Sequence, residues 1–397
     1  MIKMSKDKEL TQEEMGERFD NPIMKNQITG DQFVKDRRGE IRLKGDFLGE
    51  TRYISLDEIV EEAKNSGKGV ILNIGDSSTS GWDSDIVAVN REIKQRKSSQ
   101  YDKEKDAIFP IFNYRTYSDC LRDILGNRFV VVNAGVPTHT SLNGLRRLKE
   151  LFTNFQRAGI SVDYVIAYYG NNDSVCNGNI EEKYRKGVVG KVRRLLRGDD
   201  EVVTRTSVED FRSNMRNIIH YCKKRKATPI LIEPATPLYW EPGRRVKRNT
   251  EFDEDDNAIR TTIPAVWGCY NLSKHYWDTA NRIIAGDKNL VGDFNSAIEF
   301  YEKAREMDYI TPRIKEGHLQ ALRDVSQAER VPLIQIEIPR NKNDGRDGEG
   351  YFGDYCHPIE RANKLYAEKI AYVVMRHFWD RQERGNSTIP DNIYTLY

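Results

Sequence analysis

The chain has 397 residues, room for one large α/β domain with insertions or for two domains. Its 63 basic and 61 acidic residues leave a formal net charge of +2, so no whole-protein field draws it to nucleic acid or to an anionic membrane. With 38% hydrophobic and 10% aromatic residues it can build a core, while 31% charged residues and a mean hydropathy of -0.70 describe a polar surface. No apolar run approaches the about 18 residues that a membrane span needs.

The opening stretch, "MIKMSKDKELTQEEMGERFD", lacks the apolar h-region of a signal peptide, which predicts a cytoplasmic protein. Residues 1–68 are charged and weakly patterned and read as an N-terminal extension packed on the main domain. Within them "SLDEIVEEAKNSG" predicts a short helix, with Ser55 as N-cap and Gly67 as stop. From residue 69 onward apolar runs alternate with helical patterns: "GVILNI" (69–74), "FVVVN" (129–133), "DYVIAYY" (163–169), "TPILIEP" (228–234) and "VPLIQIEI" (331–338). Each run is continuous rather than alternating, as in a strand covered on both faces. Helices are predicted over 140–159 and 207–227, with polar starts and basic ends that suit the macrodipole. This rhythm predicts a three-layer α/β/α domain with a central parallel sheet, spanning 69–240 and 309–385.

Residues 241–308 interrupt it. "GRRVKRNTEFDEDDN" (243–257) reads as a solvated loop, and two helical segments come after it. The second resembles the back half of a tetratricopeptide repeat, with Gly292, Asp293 and Phe294 leading to Ala297, Tyr301, Ala304 and Asp308. A lone repeat cannot bury its own face, so a helical insertion packed on the sheet domain is expected, with a protein-partner surface as its alternative role. The basic stretch at 183–200 reads as an exposed helix face, 341–353 as a Gly-rich flap or connector, and 386–397 as a tail. The five cysteines, Cys120, Cys176, Cys222, Cys269 and Cys356, are scattered without CxxC spacing, which predicts reduced thiols rather than a disulfide framework or a thiolate metal site.

Ligands of open parallel sheets sit at the carboxyl ends of the strands. After the first strand come Gly75, Asp76, Ser77, Ser78, Thr79, Ser80 and Gly81; after the second, "NAGVPTHTS"; after the third, Gly170, Asn171, Asn172 and Asp173; after the last, Asp354 and His357. A serine, amide donors and an Asp/His pair are the parts of acyl transfer. A serine hydroxyl is a weak nucleophile until an imidazole takes its proton, and the imidazole needs a carboxylate to fix its tautomer. Pro358 biases His357 to an extended backbone and suits the first position of a helix, whose buried face is read from Ala362, Tyr366, Ile370 and Val373.

Four blocks in this order, GDSxTxG at 75–81, an Asn with a turn at 133–141, GxND at 170–173 and DxxHP at 354–358, resemble the SGNH hydrolase superfamily, also called GDSL esterases. The resemblance implies Ser77 as nucleophile, His357 as base and Asp354 as its partner. The oxyanion donors it implies are the Ser77 N–H, the Asn172 side chain and a backbone N–H at Thr138, where the family pattern has glycine; Gly135 is the substitute. Asp76, Trp82, His139, Asn171 and Asp173 are candidate substrate contacts, and Tyr169 a candidate wall of the acyl pocket. The family needs no cofactor, and no HExxH or similar cluster predicts a metal. The expected activity is hydrolysis of a short acyl ester on a polar small molecule or glycan through an acyl-Ser77 intermediate. An O-acyltransferase with the same triad and a non-catalytic scaffold on the same fold are the alternatives.

Overall fold

Alternate residues of the buried strands enter two separate apolar layers, and that alternation sets the architecture. The computed structural model describes residues 42–47, 50–81, 115–136, 139–175, 204–239, 241–242, 264–290, 292–309, 313–343, 345–353 and 355–384. Trp82, Thr138, Cys176, Asp354, the stretches 183–200 and 243–257 and the tail lie outside them. The elements in order are β1 (Arg42–Phe47), β2 (Glu50–Ser55), α1 (Leu56–Ser66), β3 (Gly69–Gly75), α2 (Ser77–Ser80), α3 (Tyr117–Leu125), β4 (Phe129–Asn133), α4 (Ser141–Arg157) and β5 (Tyr164–Tyr168). Next come α5 (Val208–Lys224), β6 (Thr228–Ile232), α6 (Pro264–Ile284), α7 (Phe294–Met307), α8 (Glu316–Glu329), β7 (Leu333–Ile334) and α9 (Glu360–Arg384).

The described strands form one sheet in the order β2-β1-β4-β3-β5-β6-β7. The five strands from β4 to β7 in that order are parallel, whereas β1 pairs antiparallel with both β4 and β2. On one face Val70, Leu72, Ile74, Val165 and Leu231 meet α1, α4, α5 and α8 through residues such as Ile59, Leu148, Phe155, Ile218 and Leu322. On the other, Ile71, Val131, Ile166 and Ile230 meet α3 and α9 through Leu121, Tyr366, Ile370 and Val374. Both faces are covered, which is why the runs are apolar without alternation. The architecture is the expected three-layer α/β/α.

Two elements depart from expectation. Residues 42–55 supply two strands, β2 at the edge of the sheet and β1 between it and β4, where the weak patterning predicts none; charged residues on such peripheral strands are compatible with backbone pairing and mask the strand signal. The last strand, expected over 331–338, is only two residues long. Its partner β6 ends at Ile232, opposite Ile334, so the ladder has nothing to continue along.

Helices α6 and α7 pack against each other as an antiparallel hairpin. Ala297, Tyr301 and Ala304, the repeat-like positions, join Trp277, Ala280 and Leu238 in a small core of their own. The Trp277 and Tyr301 rings lie 4.8 Å apart, and Tyr301 Oη donates to Asn281 Oδ1 at 2.7 Å.

Candidate active site

Chain reversal after β3 sets up the first half of the site. Asp76 is the extended N-cap of α2: its Oδ1 accepts the Ser78 N–H at 2.8 Å, and its carbonyl accepts those of Thr79 and Ser80 at 3.2 and 3.0 Å. This one-turn helix places the half-buried Ser77 with Oγ 2.6 Å from His357 Nε2. Its neighbour faces elsewhere, since the buried Ser78 Oγ donates to the Cys356 carbonyl at 3.3 Å, and Ser80 is also buried. Of the three serines, Ser77 is the one set against the imidazole.

The imidazole arrives on the loop before α9. Phe352 and Pro358 form an antiparallel bridge, the Gly353 N–H donates to the His357 carbonyl at 2.9 Å, and the Ile359 N–H donates to the Tyr351 carbonyl at 2.9 Å. Proline has no N–H to give, so the bonds fall on its neighbours, and α9 begins at Glu360 rather than at Pro358 itself. His357 is buried, its Nδ1 3.5 Å from Cys356 Sγ.

The loop after β5 carries the amides. Gly170 has φ +133°, a conformation that favours glycine, and a Cβ there would lie 2.2 Å from Ile314 Cδ1 and oblige that side chain to shift. Asn172 Nδ2 donates one hydrogen to Asp76 Oδ2 at 3.2 Å, which ties the amide to the residue that precedes Ser77. Asn171 accepts the Ile314 N–H at 3.2 Å and points Nδ2 at Ser78 Oγ, 3.5 Å away. Asp173 accepts the Ser141 N–H at 3.0 Å and the Ser141 hydroxyl at 2.7 Å, a carboxylate at the start of α4 where the helix dipole favours it. Asp76, Asn171 and Asp173, candidates for substrate contact, are thus buried and bound within the protein, where they build the frame of the site.

The loop after β4 locks onto the first. Asn133 Nδ2 donates to the Thr79 carbonyl at 2.7 Å, and the Val136 N–H donates to the Gly75 carbonyl at 2.9 Å. Gly135, the substitute oxyanion donor, gives its N–H to Asn133 Oδ1 at 3.1 Å, and a Cβ on it would lie 2.3 Å from the Ser80 nitrogen. Gly135 thus packs directly against α2, with its N–H turned to Asn133. Gly135→Ala must push α2 away from this turn and is expected to lower kcat by about 10- to 100-fold with little change in KM, since a displacement of roughly 1 Å can cost that much; steady-state kinetics on a short p-nitrophenyl ester checks it.

Burial governs the charges. It pushes the Asp76 carboxyl up to about 6, against the pull of the Ser78 N–H and of His357. It also raises Asp173, and it lowers His139 to about 3 with help from Arg147 and Arg205, so His139 is neutral near pH 7. Arg147, 1% exposed, donates Nε to the Ala134 carbonyl at 2.8 Å and carries a guanidinium under the β4 turn. Sequence reasoning misses it, although an arginine within the apolar stripe of Gly144, Leu148 and Leu151 is the signal. Tyr169 is fully buried with its hydroxyl against Gly144, so it belongs to the core rather than to a pocket wall. Of the remaining histidines, His318 Nε2 contacts the Thr206 carbonyl, His377 Nδ1 the Tyr164 hydroxyl and His220 the Glu329 carboxylate. Among the described residues no group of three His, Cys, Asp or Glu side chains could hold a metal ion, and no helix is long and apolar enough to cross a membrane.

No protein-family model and no curated protein matches the chain. Solved structures do. A lipase/acylhydrolase from Enterococcus faecalis is similar at 14% identity and TM-score 0.32, over 78% of this chain and 96% of that one. A GDSL-like lipase from Bacteroides thetaiotaomicron is similar at 11% identity and TM-score 0.33, over 80% and 98%. A catalytic mutant of an acetylxylan esterase from Geobacillus stearothermophilus is similar at 12% identity and TM-score 0.32, over 77% and 93%.

Proposed function

We propose that the chain is a serine ester hydrolase that cleaves a short acyl group, acetyl or a close homologue, from a polar substrate such as a carbohydrate. The observation that carries this reading is the 2.6 Å contact between Ser77 Oγ and His357 Nε2 at the carboxyl edge of a parallel sheet. His357 takes the hydroxyl proton as Ser77 Oγ attacks the ester carbonyl. The Ser77 N–H and the second hydrogen of Asn172 Nδ2 receive the oxyanion. His357 then returns the proton to the leaving alcohol, and the same steps with water release the acid. Asp354 completes the set by its place in the DxxHP block.

The preference for a polar substrate rests on the Asn172 amide, held by Asp76 next to Ser77 in the chain, and on the mean hydropathy of -0.70. The test is a comparison of acetate release from an acetylated oligosaccharide with hydrolysis of an octanoyl ester and a long-chain triglyceride, repeated with a sugar acceptor in excess. Faster deacetylation, unchanged by the acceptor, is expected. Preference for the long-chain lipid contradicts the substrate reading, and acyl product accumulating on the acceptor converts the reading to an acyltransferase.

A further inference from the structure

The 345–353 loop, which leads to His357, is fastened to the helical hairpin, and at the centre of the fastening is a guanidinium in a box of three rings. Arg346 Cζ lies 5.1 Å from the ring centroid of Tyr239, 5.7 Å from that of Trp277 and 5.7 Å from that of Tyr301. Trp277 belongs to α6, Tyr301 to α7 and Tyr239 to the segment after β6. Backbone bonds pin the loop on either side. The Asn341 N–H donates to the Arg346 carbonyl at 2.8 Å, the Tyr239 N–H to the Asp347 carbonyl at 3.0 Å, and the Leu238 N–H to Asp347 Oδ1 at 2.7 Å. The Gly348 carbonyl then accepts the N–H groups of Tyr351 and Phe352 at 3.1 and 3.0 Å, Phe352 bridges Pro358, and Gly353 donates to the His357 carbonyl. A short run of single contacts thus joins the aromatic box to the imidazole. The segment between α7 and α8 reaches the loop after β5 as well: Lys315 Nζ ties it to α7 through the Arg305 carbonyl at 2.8 Å, while Ile314 covers Gly170 and donates its N–H to Asn171.

We infer that Arg346, held by Tyr239, Trp277 and Tyr301, is a positioning residue that sets His357 Nε2 within reach of Ser77. The role of the insertion is therefore to brace the base. The inference rests on the serine-esterase reading for its kinetic consequence and on the contacts above for its structural one. A planar guanidinium stacks on aromatic faces where an ammonium acts as a point charge, so lysine replaces it only in part.

The test compares Arg346→Ala, Arg346→Lys and, as a control on α7, Lys303→Ala, whose ammonium lies over Phe300. Each is measured for kcat and KM on p-nitrophenyl acetate, for melting temperature, and for hydrogen exchange of the Gly353 and Ile359 amides. Folded Arg346→Ala is expected to lose about 30- to 100-fold in kcat with KM within about threefold, on the scale of a small misplacement of the base. Its Gly353 and Ile359 amides exchange faster, Arg346→Lys falls between it and the wild type, and Lys303→Ala matches the wild type. A folded Arg346→Ala with wild-type kcat and wild-type protection of both amides overturns the inference and leaves the esterase reading standing. If Arg346→Ala does not fold, Arg346→Lys decides by the same criteria. A wild type that hydrolyses nothing overturns the esterase reading, and the exchange of the two amides still decides whether Arg346 holds the loop.

Discussion

Ser77→Ala is expected to lower kcat on p-nitrophenyl acetate by at least about 10³-fold while leaving KM and melting temperature near the wild-type values, because it removes the attacking atom and one contact of a half-buried side chain. His357→Ala should cost a comparable factor, and the double variant little more than either alone, since nucleophile and base act as a unit. Ser78→Ala separates this from a general disturbance of the turn. Its hydroxyl donates to the Cys356 carbonyl, behind the imidazole, so its loss should trim activity by no more than about 10-fold. Steady-state kinetics on the four proteins checks the set. Equal losses in Ser77→Ala and Ser78→Ala would mean that the turn matters but that Ser77 is not the nucleophile.

Asp76→Asn should give the second large effect, and it has a pH signature. In the wild type one oxygen of Asp76 accepts the Ser78 N–H and the other accepts from Asn172 Nδ2. An amide can serve one of them but opposes a donor to the other, so Asn172 must turn, and kcat is expected to fall by about 10²- to 10³-fold, as for the loss of one oxyanion donor. The carboxyl is raised from 3.8 to about 6 in the fold, so protonation favours the folded state. Its contribution to stability is fully present below the unfolded value and is lost as pH rises through the folded one, a change on the order of 3 kcal/mol. The stability of the wild type relative to Asp76→Asn should therefore decline between about pH 4 and about pH 6 and level off above that range. Urea titrations of both proteins across this window read the gap directly. A gap that does not change with pH would show that Asp76 does not titrate there, whatever the activity of the variant.

These effects meet at loops that the sequence exposes to different degrees. The strand ends are legible because each buried strand is a continuous apolar run, so the residues just beyond it stand out as polar and glycine-rich. Ser77 stands out among the three serines by its place after Asp76, and it is the one whose Oγ lies 2.6 Å from His357 Nε2. The hidden part is long-range. Leu238 and Asp347 are 109 positions apart, and nothing local announces that Arg346 closes a box of rings from three segments. The packing of Gly135 is hidden for a related reason: its N–H meets Asn133, two residues earlier, and its Cα meets α2 only once the loop is folded. The strands β1 and β2 escape because pairing there is carried by backbone, with no apolar pattern to mark it.

The most direct measurement is mass spectrometry of the intact protein and its peptides after reaction with a fluorophosphonate. One phosphonyl adduct per chain is expected, carried by Ser77, absent from Ser78 and Ser80, and abolished by Ser77→Ala or by His357→Ala. A folded wild type that takes up no label, or that carries it on another serine, would contradict the assignment of Ser77 as nucleophile and the ester chemistry built on it.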